Sequence, residues 1–238
     1  VPDYLSGEPE TPWQEFFKFS TNLQYFKSLF SDIYTKMEAN KRFENITALV
    51  KRNLLISQYN FGLYEPEKQT EDFAKVSSSY AILLAADCMK KKQDSFCYEE
   101  DINKDNIKEI ILGNKSNLYV FTRYGARLLY WFDLNKGDLL AGNPFPTLPG
   151  EIFNENRYVE PVSWKLENAI IGSEEKREYR MRTGMFSDYI TINGNPEHHM
   201  KNAQYDVLIE GSKVKFSLKT AFALFEKTFT LKETYLVA

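Results

Sequence analysis

The feature that most limits what this chain can fold into is a change of hydrophobic period near residue 94. Upstream of it apolar residues recur every three to four positions, and downstream they recur every two. A chain that changes period once puts its helices first and its strands after, and strands joined by tight turns pair antiparallel. The expected fold class is therefore α+β. A three-helix unit over residues 1–93 precedes an antiparallel β-sandwich over residues 94–238.

The helical part has identifiable punctuation. Thr11-Pro12-Trp13-Gln14 reads as a capping box, with Thr11 as N-cap, Pro12 where a missing N–H costs nothing, and Gln14 reaching back. Trp13, Phe16, Phe17, Leu23, Phe26, Leu29, Phe30, Ile33 and Met37 then form one aromatic face. A second helix is predicted from Phe43 to Tyr59 through Ile46, Leu49, Val50 and Leu54, closed by Asn60-Phe61-Gly62. After a break at Glu65-Pro66, a third begins beyond Thr70 and carries Phe73, Val76, Tyr80, Leu83, Leu84 and Cys88. Lys90-Lys91-Lys92 sits at its C-terminus, where the helix dipole favours cations, and reads as a solvated cap.

The β part is clearest at Tyr205, Val207 and Ile209 against Val214, Phe216 and Leu218, a hairpin turned by Gly211-Ser212. Ile110, Leu112, Leu118, Val120 and Phe121 lead into Leu128–Phe132, with Gly125 breaking the run. Phe222, Leu224, Phe229 and Leu231 continue the alternation. Between residues 141 and 161 four of the nine prolines mark a long irregular excursion.

Composition enters as a set of exclusions. With 18 Phe, 15 Tyr and 3 Trp the chain is too rich in large apolar groups to be disordered, and two cysteines are too few for a disulfide scaffold. A net charge of -3 with scattered lysines and arginines argues against a nucleic-acid partner. The longest apolar run, Tyr80–Ala86, falls far short of the ~20 residues a membrane helix needs, so no membrane partner is expected. The chain opens Val1-Pro2-Asp3-Tyr4 with no leader pattern and stops in strand-like alternation, which reads as a piece of a longer polypeptide. Two unpaired cysteines, nine residues apart on a helix and a strand, favour a cytoplasmic setting.

Three groups of residues could carry chemistry. Asp101, Asn103, Asp105 and Glu109 place oxygens at positions 1, 3, 5 and 9 of a loop, the spacing of a calcium site. Asn106 stands where that loop wants Gly, and Leu112 where it wants a bidentate carboxylate. The other reading is an Asx-rich turn between strands. No other cofactor is expected. His198 and His199 are the only histidines, and adjacent residues point apart, so they read as surface groups near a turn. Trp131, Trp164, Tyr130 and Tyr158 could stack on sugar rings, although strand aromatics more often fill cores. The carboxylates cannot be paired across a cleft from spacing alone, so no glycosidase pair is assigned.

Several segments, in order, resemble one family. Trp13-Gln-Glu-Phe16-Phe17, Leu54-Leu-Ile-Ser-Gln58-Tyr-Asn60-Phe-Gly-Leu-Tyr64 and Tyr80-Ala-Ile-Leu-Leu-Ala-Ala-Asp87 are similar to the helical region of family 57 glycoside hydrolases, the α-glucan amylases, branching enzymes and glucanotransferases. Asp101–Asp105 through Glu109–Leu112, Leu118–Phe121, Gly125-Ala-Arg-Leu-Leu129, Phe132-Asp133 and Phe225–Leu231 resemble the Asp-rich turn, ladder and Gly-Gly-Arg-Leu corner of their galactose mutarotase-like β-sandwich. Ala126 replaces the second corner glycine, and Asn106 the glycine of the Asp-rich turn.

The resemblance implies a non-catalytic C-terminal portion of a carbohydrate-active enzyme, with its nucleophilic Glu and acid Asp on a barrel outside this chain. It implies an oligo- or polysaccharide partner and the remainder of the polypeptide, or a separate catalytic barrel, beside it. Gln58 and Asn60, amides able to donate to and accept from hydroxyls, and Tyr64, a stacking ring, become candidate glycan contacts beside Trp131 and Trp164. For Gln58 and Asn60 the structural alternative is capping of the second helix. Two other function classes stay open: a stand-alone carbohydrate-binding or protein-interaction module working through its β face, and a sugar epimerase using His198 or His199.

Overall fold

The computed structural model describes residues 21–60, 66–102, 108–142, 185–186, 190–192, 195–197, 203–220, 223–233 and 235–238. The Thr11–Gln14 capping box, the aromatic residues before Thr21, and the proline-rich excursion from residue 143 to 161 lie outside them. Within these residues the fold is α+β, with three helices followed by antiparallel sheets.

Helix α1 (Thr21–Ala39) buries Leu29, Ile33 and Met37, one residue per turn along a single stripe. Its end is capped by Asn40, whose Nδ2 donates to the Lys36 carbonyl at 2.8 Å. Helix α2 (Glu44–Asn60) starts with an acidic residue in its first turn, as the dipole favours, and buries Ile46, Val50 and Leu54. Helix α3 (Pro66–Lys91) begins four residues earlier than Thr70 suggests. Pro66 does not break the chain there; it occupies the first helical position, where its fixed φ is preorganised for the helix. At the other end Lys92 takes φ +47° and its N–H reaches the Cys88 carbonyl at 2.9 Å.

Five strands follow as a meander: β1 (Phe96–Glu100), β2 (Glu109–Gly113), β3 (Asn117–Thr122), β4 (Arg127–Asp133) and β5 (Asp138–Gly142), paired in that order. A two-stranded ribbon, β6 (Ile190–Ile192) with β7 (Asn195–Glu197), comes next. A second sheet has the order β11-β10-β9-β8, from β8 (Asp206–Glu210), β9 (Lys213–Lys219), β10 (Leu224–Leu231) and β11 (Leu236–Val237). The β8–β9 hairpin has the predicted register, Ile209 opposite Val214 and Val207 opposite Phe216, with Gly211 at φ +60° in its turn. In β10 the inward phase is Phe225, Phe229 and Leu231, whereas Leu224 points outward at 60% exposure. Treating Leu224 and Leu231 as one alternating set crosses the period, because residues seven apart in a strand face opposite ways.

Two cores result. One lies between the helices and the meander and takes Ile33, Val50, Val76, Ala85, Ile111, Val120, Leu129 and Phe132. The other lies between the two sheets and takes Ile110, Leu112, Phe121, Leu128, Val214, Phe216 and Phe229. The order of layers is helices, five-stranded sheet, four-stranded sheet. The meander is thus the middle layer.

Candidate functional site

The helices run along the meander in a known direction. Asn45, at the start of α2, donates to the Lys136 carbonyl at 3.1 Å and to Asp138 Oδ1 at 2.9 Å. Side chains of Ile46 and Met89 approach Gly137 in the same turn. The start of α2 and the end of α3 therefore sit over the β4–β5 turn. Asn53, two turns further along α2, donates to Ser78 and Ser79 on α3 at 3.2 and 3.3 Å, above the Tyr130 phenol. Continuing in that direction, Ser57 is fully buried and Gln58 and Asn60 close the helix. Both lie toward the end of the sheet where β3 turns into β4.

At that end three polar side chains line up beneath the helices. Thr122 pairs with Arg127, and Glu109 precedes Ile110, which pairs with Phe121, so the three are level across β2, β3 and β4. They are 1% (Glu109), 0% (Thr122) and 2% (Arg127) exposed. Buried charges need partners, and each here is turned onto the backbone of a nearby loop. Glu109 Oε2 accepts the Ile102 N–H at 3.1 Å, which closes the Asp-rich loop at its two ends. Arg127 Nε donates to the Tyr124 carbonyl at 2.8 Å, and Thr122 Oγ1 accepts the Tyr124 N–H at 3.2 Å, which together shape the β3–β4 corner. That corner has Gly125 at φ +68° and Ala126 at φ +47°.

Tyr130 adds a buried phenol. Burial pushes its pKa far up, the charge of Glu109 pushes the same way, and Ser78 opposes them while lying outside hydrogen-bonding geometry with the phenol oxygen. It stays protonated at any physiological pH. Glu109, Thr122, Arg127 and Tyr130 are thus a buried polar cluster that shapes the loops at this end of the sheet. Glu99, on β1, is committed to an ion pair with Arg123.

Gln58 and Asn60 lie in the last turn of α2, and their side chains lie outside the described residues, as do Tyr64 and Trp164. Trp131 is on β4, half-buried at the rim of the inter-sheet core. Its ring stacks on Tyr119 with centroids 5.7 Å apart, and its Nε1 donates to Asn117 Oδ1 at 3.1 Å. Tyr119 is buried, which raises its pKa to about 12. Asp101 is half-buried and Glu109 buried, whereas Asn103 and Asp105 lie outside the described residues, as do Tyr158, His198 and His199. Among the described residues no group of three or more His, Cys, Asp or Glu side chains could hold a metal ion. Cys88 and Cys97 are both free thiols, and no described helix is long and apolar enough to cross a membrane.

Sequence reasoning missed Thr122 and Arg127. The signal was available: Arg127 stands two residues before Leu129 and Glu109 two before Ile111, so a strict period of two turns both charges inward. A cleft of about 260 Å³ at the opposite end, lined by Arg42, Asn45, Met89 and Lys136 among others, contains none of the sequence-chosen residues.

No family model matches the chain, and no curated protein sequence matches it. A solved structure similar to it is the crystal structure of 4-alpha-glucanotransferase from Thermococcus litoralis, at 13% identity and a TM-score of 0.36. The likeness covers 94% of this chain and 35% of that one, so this chain spans about a third of that protein. A score this low carries neither fold nor activity across.

Proposed function

We propose that this chain is the helical and β-sandwich portion of a carbohydrate-active enzyme acting on α-glucan or a related polysaccharide, with its catalytic Glu and Asp outside residues 1–238. The observation that carries the reading is the β3–β4 corner. The resemblance to family 57 glycoside hydrolases puts a Gly-Gly-Arg-Leu corner at residues 125–128. Residue 126 has the positive φ that favours glycine although it is Ala, and Arg127 is buried beneath it. On this reading the corner end, where α2 finishes, borders the glycan cleft. Gln58 and Asn60 contact sugar hydroxyls there and Tyr64 and Trp164 offer rings, whereas Trp131, on the opposite face of the meander and bonded to Asn117 away from the corner, offers a separate ring. The Asp101–Glu109 loop is proposed as a structural turn first and a calcium site second.

The test is calorimetry and product analysis on the purified 238-residue chain with maltooligosaccharides. Binding weakened at least fivefold by Gln58→Ala with Asn60→Ala, and no hydrolysis or transfer, is expected. Turnover that disappears on changing a Glu within the chain would sink the proposal. Binding lost through Trp131→Ala but untouched at 58 and 60 would favour a binding module working through its β face.

A further inference from the structure

The inner face of β10 carries one charged residue. Lys227 pairs in register with Phe216, a member of the inter-sheet core, so its stem enters the space between the sheets. Its ammonium donates to the carbonyls of Gly125 at 2.9 Å, Ala126 at 3.4 Å and Phe186 at 2.5 Å, and lies 5.9 Å from the centroid of the Tyr205 ring. These three acceptors share a property. Gly125, Ala126 and Phe186 have φ of +68°, +47° and +62°. Ala126 and Phe186 are two of only three non-glycine residues with positive φ among the described residues, the third being Lys92 at the end of α3.

We propose that Lys227 is a tethered cation that holds two left-handed turns in place and so fastens one sheet to the other at the corner end. A left-handed backbone brings Cβ against the following carbonyl and is disfavoured for Ala and Phe. Carbonyl oxygens gathered at one point also repel one another unless a positive charge lies between them. A single half-buried ammonium offsets both effects, because its donors meet the gathered carbonyl oxygens and its charge lies among them. The turns it holds are joints between layers. The Gly125 N–H reaches the Ala203 carbonyl at 2.9 Å, and the Tyr205 N–H reaches the Arg123 carbonyl at 3.0 Å, linking the meander to the segment leading into β8. Met185, beside Phe186, exchanges backbone hydrogen bonds with Leu128 on β4. The opposite end is fastened separately. There Asn114 donates to the Glu233 carbonyl at 3.1 Å and accepts the Ser116 and Asn117 N–H groups at 2.8 Å each.

The test is amide hydrogen exchange on the full chain carrying Lys227→Met, which keeps an apolar stem and removes the charge. The Gly125 and Tyr205 amides should exchange at least tenfold faster, while the Ser116 and Asn117 amides keep their wild-type rates. Equal acceleration at all four amides, or none, overturns the proposal, since the first is the mark of a packing residue and the second of an idle one. If Lys227→Met does not fold, Ala126→Gly is added to remove one strained turn. Recovery of folding then supports the tethered cation, and failure to recover overturns it.

Discussion

The two sheets are built from the same kind of residue and live in different environments. Every residue of β2 and all but the first of β3 are buried, because the meander lies between the helices and the second sheet. In β8 the pattern alternates between exposed and half-buried, because one face meets water. The sequence difference follows. Ile110-Ile111-Leu112 and Leu118-Tyr119-Val120-Phe121 are continuous apolar runs that send neighbours into opposite cores, whereas Lys213-Val214-Lys215-Phe216 alternates. An antiparallel sheet can thus look like a buried parallel one when it is the middle of three layers.

The largest effect should come from placing a charge on the middle sheet. Val120 is fully buried, and Val120→Asp should abolish folding, since an unpaired buried carboxylate costs several kcal/mol, about the whole stability of a domain. Leu208, on the outer face of the second sheet and 53% exposed, stands opposite Lys215. Leu208→Asp should change stability by less than about 1 kcal/mol, the usual range for exposed strand positions. Circular dichroism of the two purified variants checks this. Equal losses would mean that the second sheet is covered on both faces as well.

Next in size is loss of an aromatic. Phe121 meets Phe229 at 4.6 Å and Phe216 at 5.9 Å between ring centroids, all three buried between the sheets. Phe121→Ala should cost about 3–5 kcal/mol in urea unfolding, and Leu224→Ala at the exposed start of β10 about 0.5 kcal/mol or less. A small Phe121 effect would mean that the sheets separate at little cost.

How much of this was legible follows the same division. The 3.6-to-2 change near residue 94 located the end of α3 and the start of β1, because a long helix face and a run of strands each repeat often enough to show their period. The β8–β9 hairpin was legible from Val207 to Phe216, since Gly211 and clean alternation agree, but Tyr205 precedes β8 and bonds to the Arg123 carbonyl just past β3, a long-range contact that alternation does not reveal. The middle sheet gave its strands but not its layering, because a run buried on both faces has no polar phase to reveal which side each residue takes. The start of α3 was misplaced because proline breaks a helix inside it but opens one at its first position. Of the candidate site, Glu109 was legible as a loop oxygen. Thr122 and Arg127 stand level with it on β3 and β4, strands that spacing alone does not pair.

Glycines distinguish the sheets on a smaller scale. A Cβ on Gly113, in β2, would lie 2.5 Å from the Phe96 ring and 2.8 Å from the Asn117 carbonyl oxygen. Gly113→Ala therefore needs a backbone shift and should cost about 2 kcal/mol, within the range for overpacked cores. A Cβ on Gly211 would meet nothing within 4 Å, so Gly211→Ala suffers only the left-handed φ of +60°, about 1 kcal/mol. Thermal unfolding of both variants should give the larger drop at Gly113, and the reverse order would place the strain in the hairpin.

The two cysteines report separately on the two cores. Cys88 belongs to the helix-facing core, and Cys97 packs at the edge of the inter-sheet core. Burial raises the pKa of both thiols from 9.0 to about 11, with the charge of Lys91 opposing the rise at Cys88 and that of Glu99 adding to it at Cys97. A raised thiol pKa means that the unfolded chain loses these protons first. Stability from this source is intact below pH 9 and falls as the pH climbs from 9 to 11. The Cys88→Ala, Cys97→Ala double variant should therefore flatten the stability profile between those values. At pH 8 iodoacetamide should modify the native chain slowly, and Cys97, the more exposed of the two, before Cys88. If Cys88 reacts first, the helices lift from the meander more readily than the sheets part, and the helix-facing core is the weaker of the two.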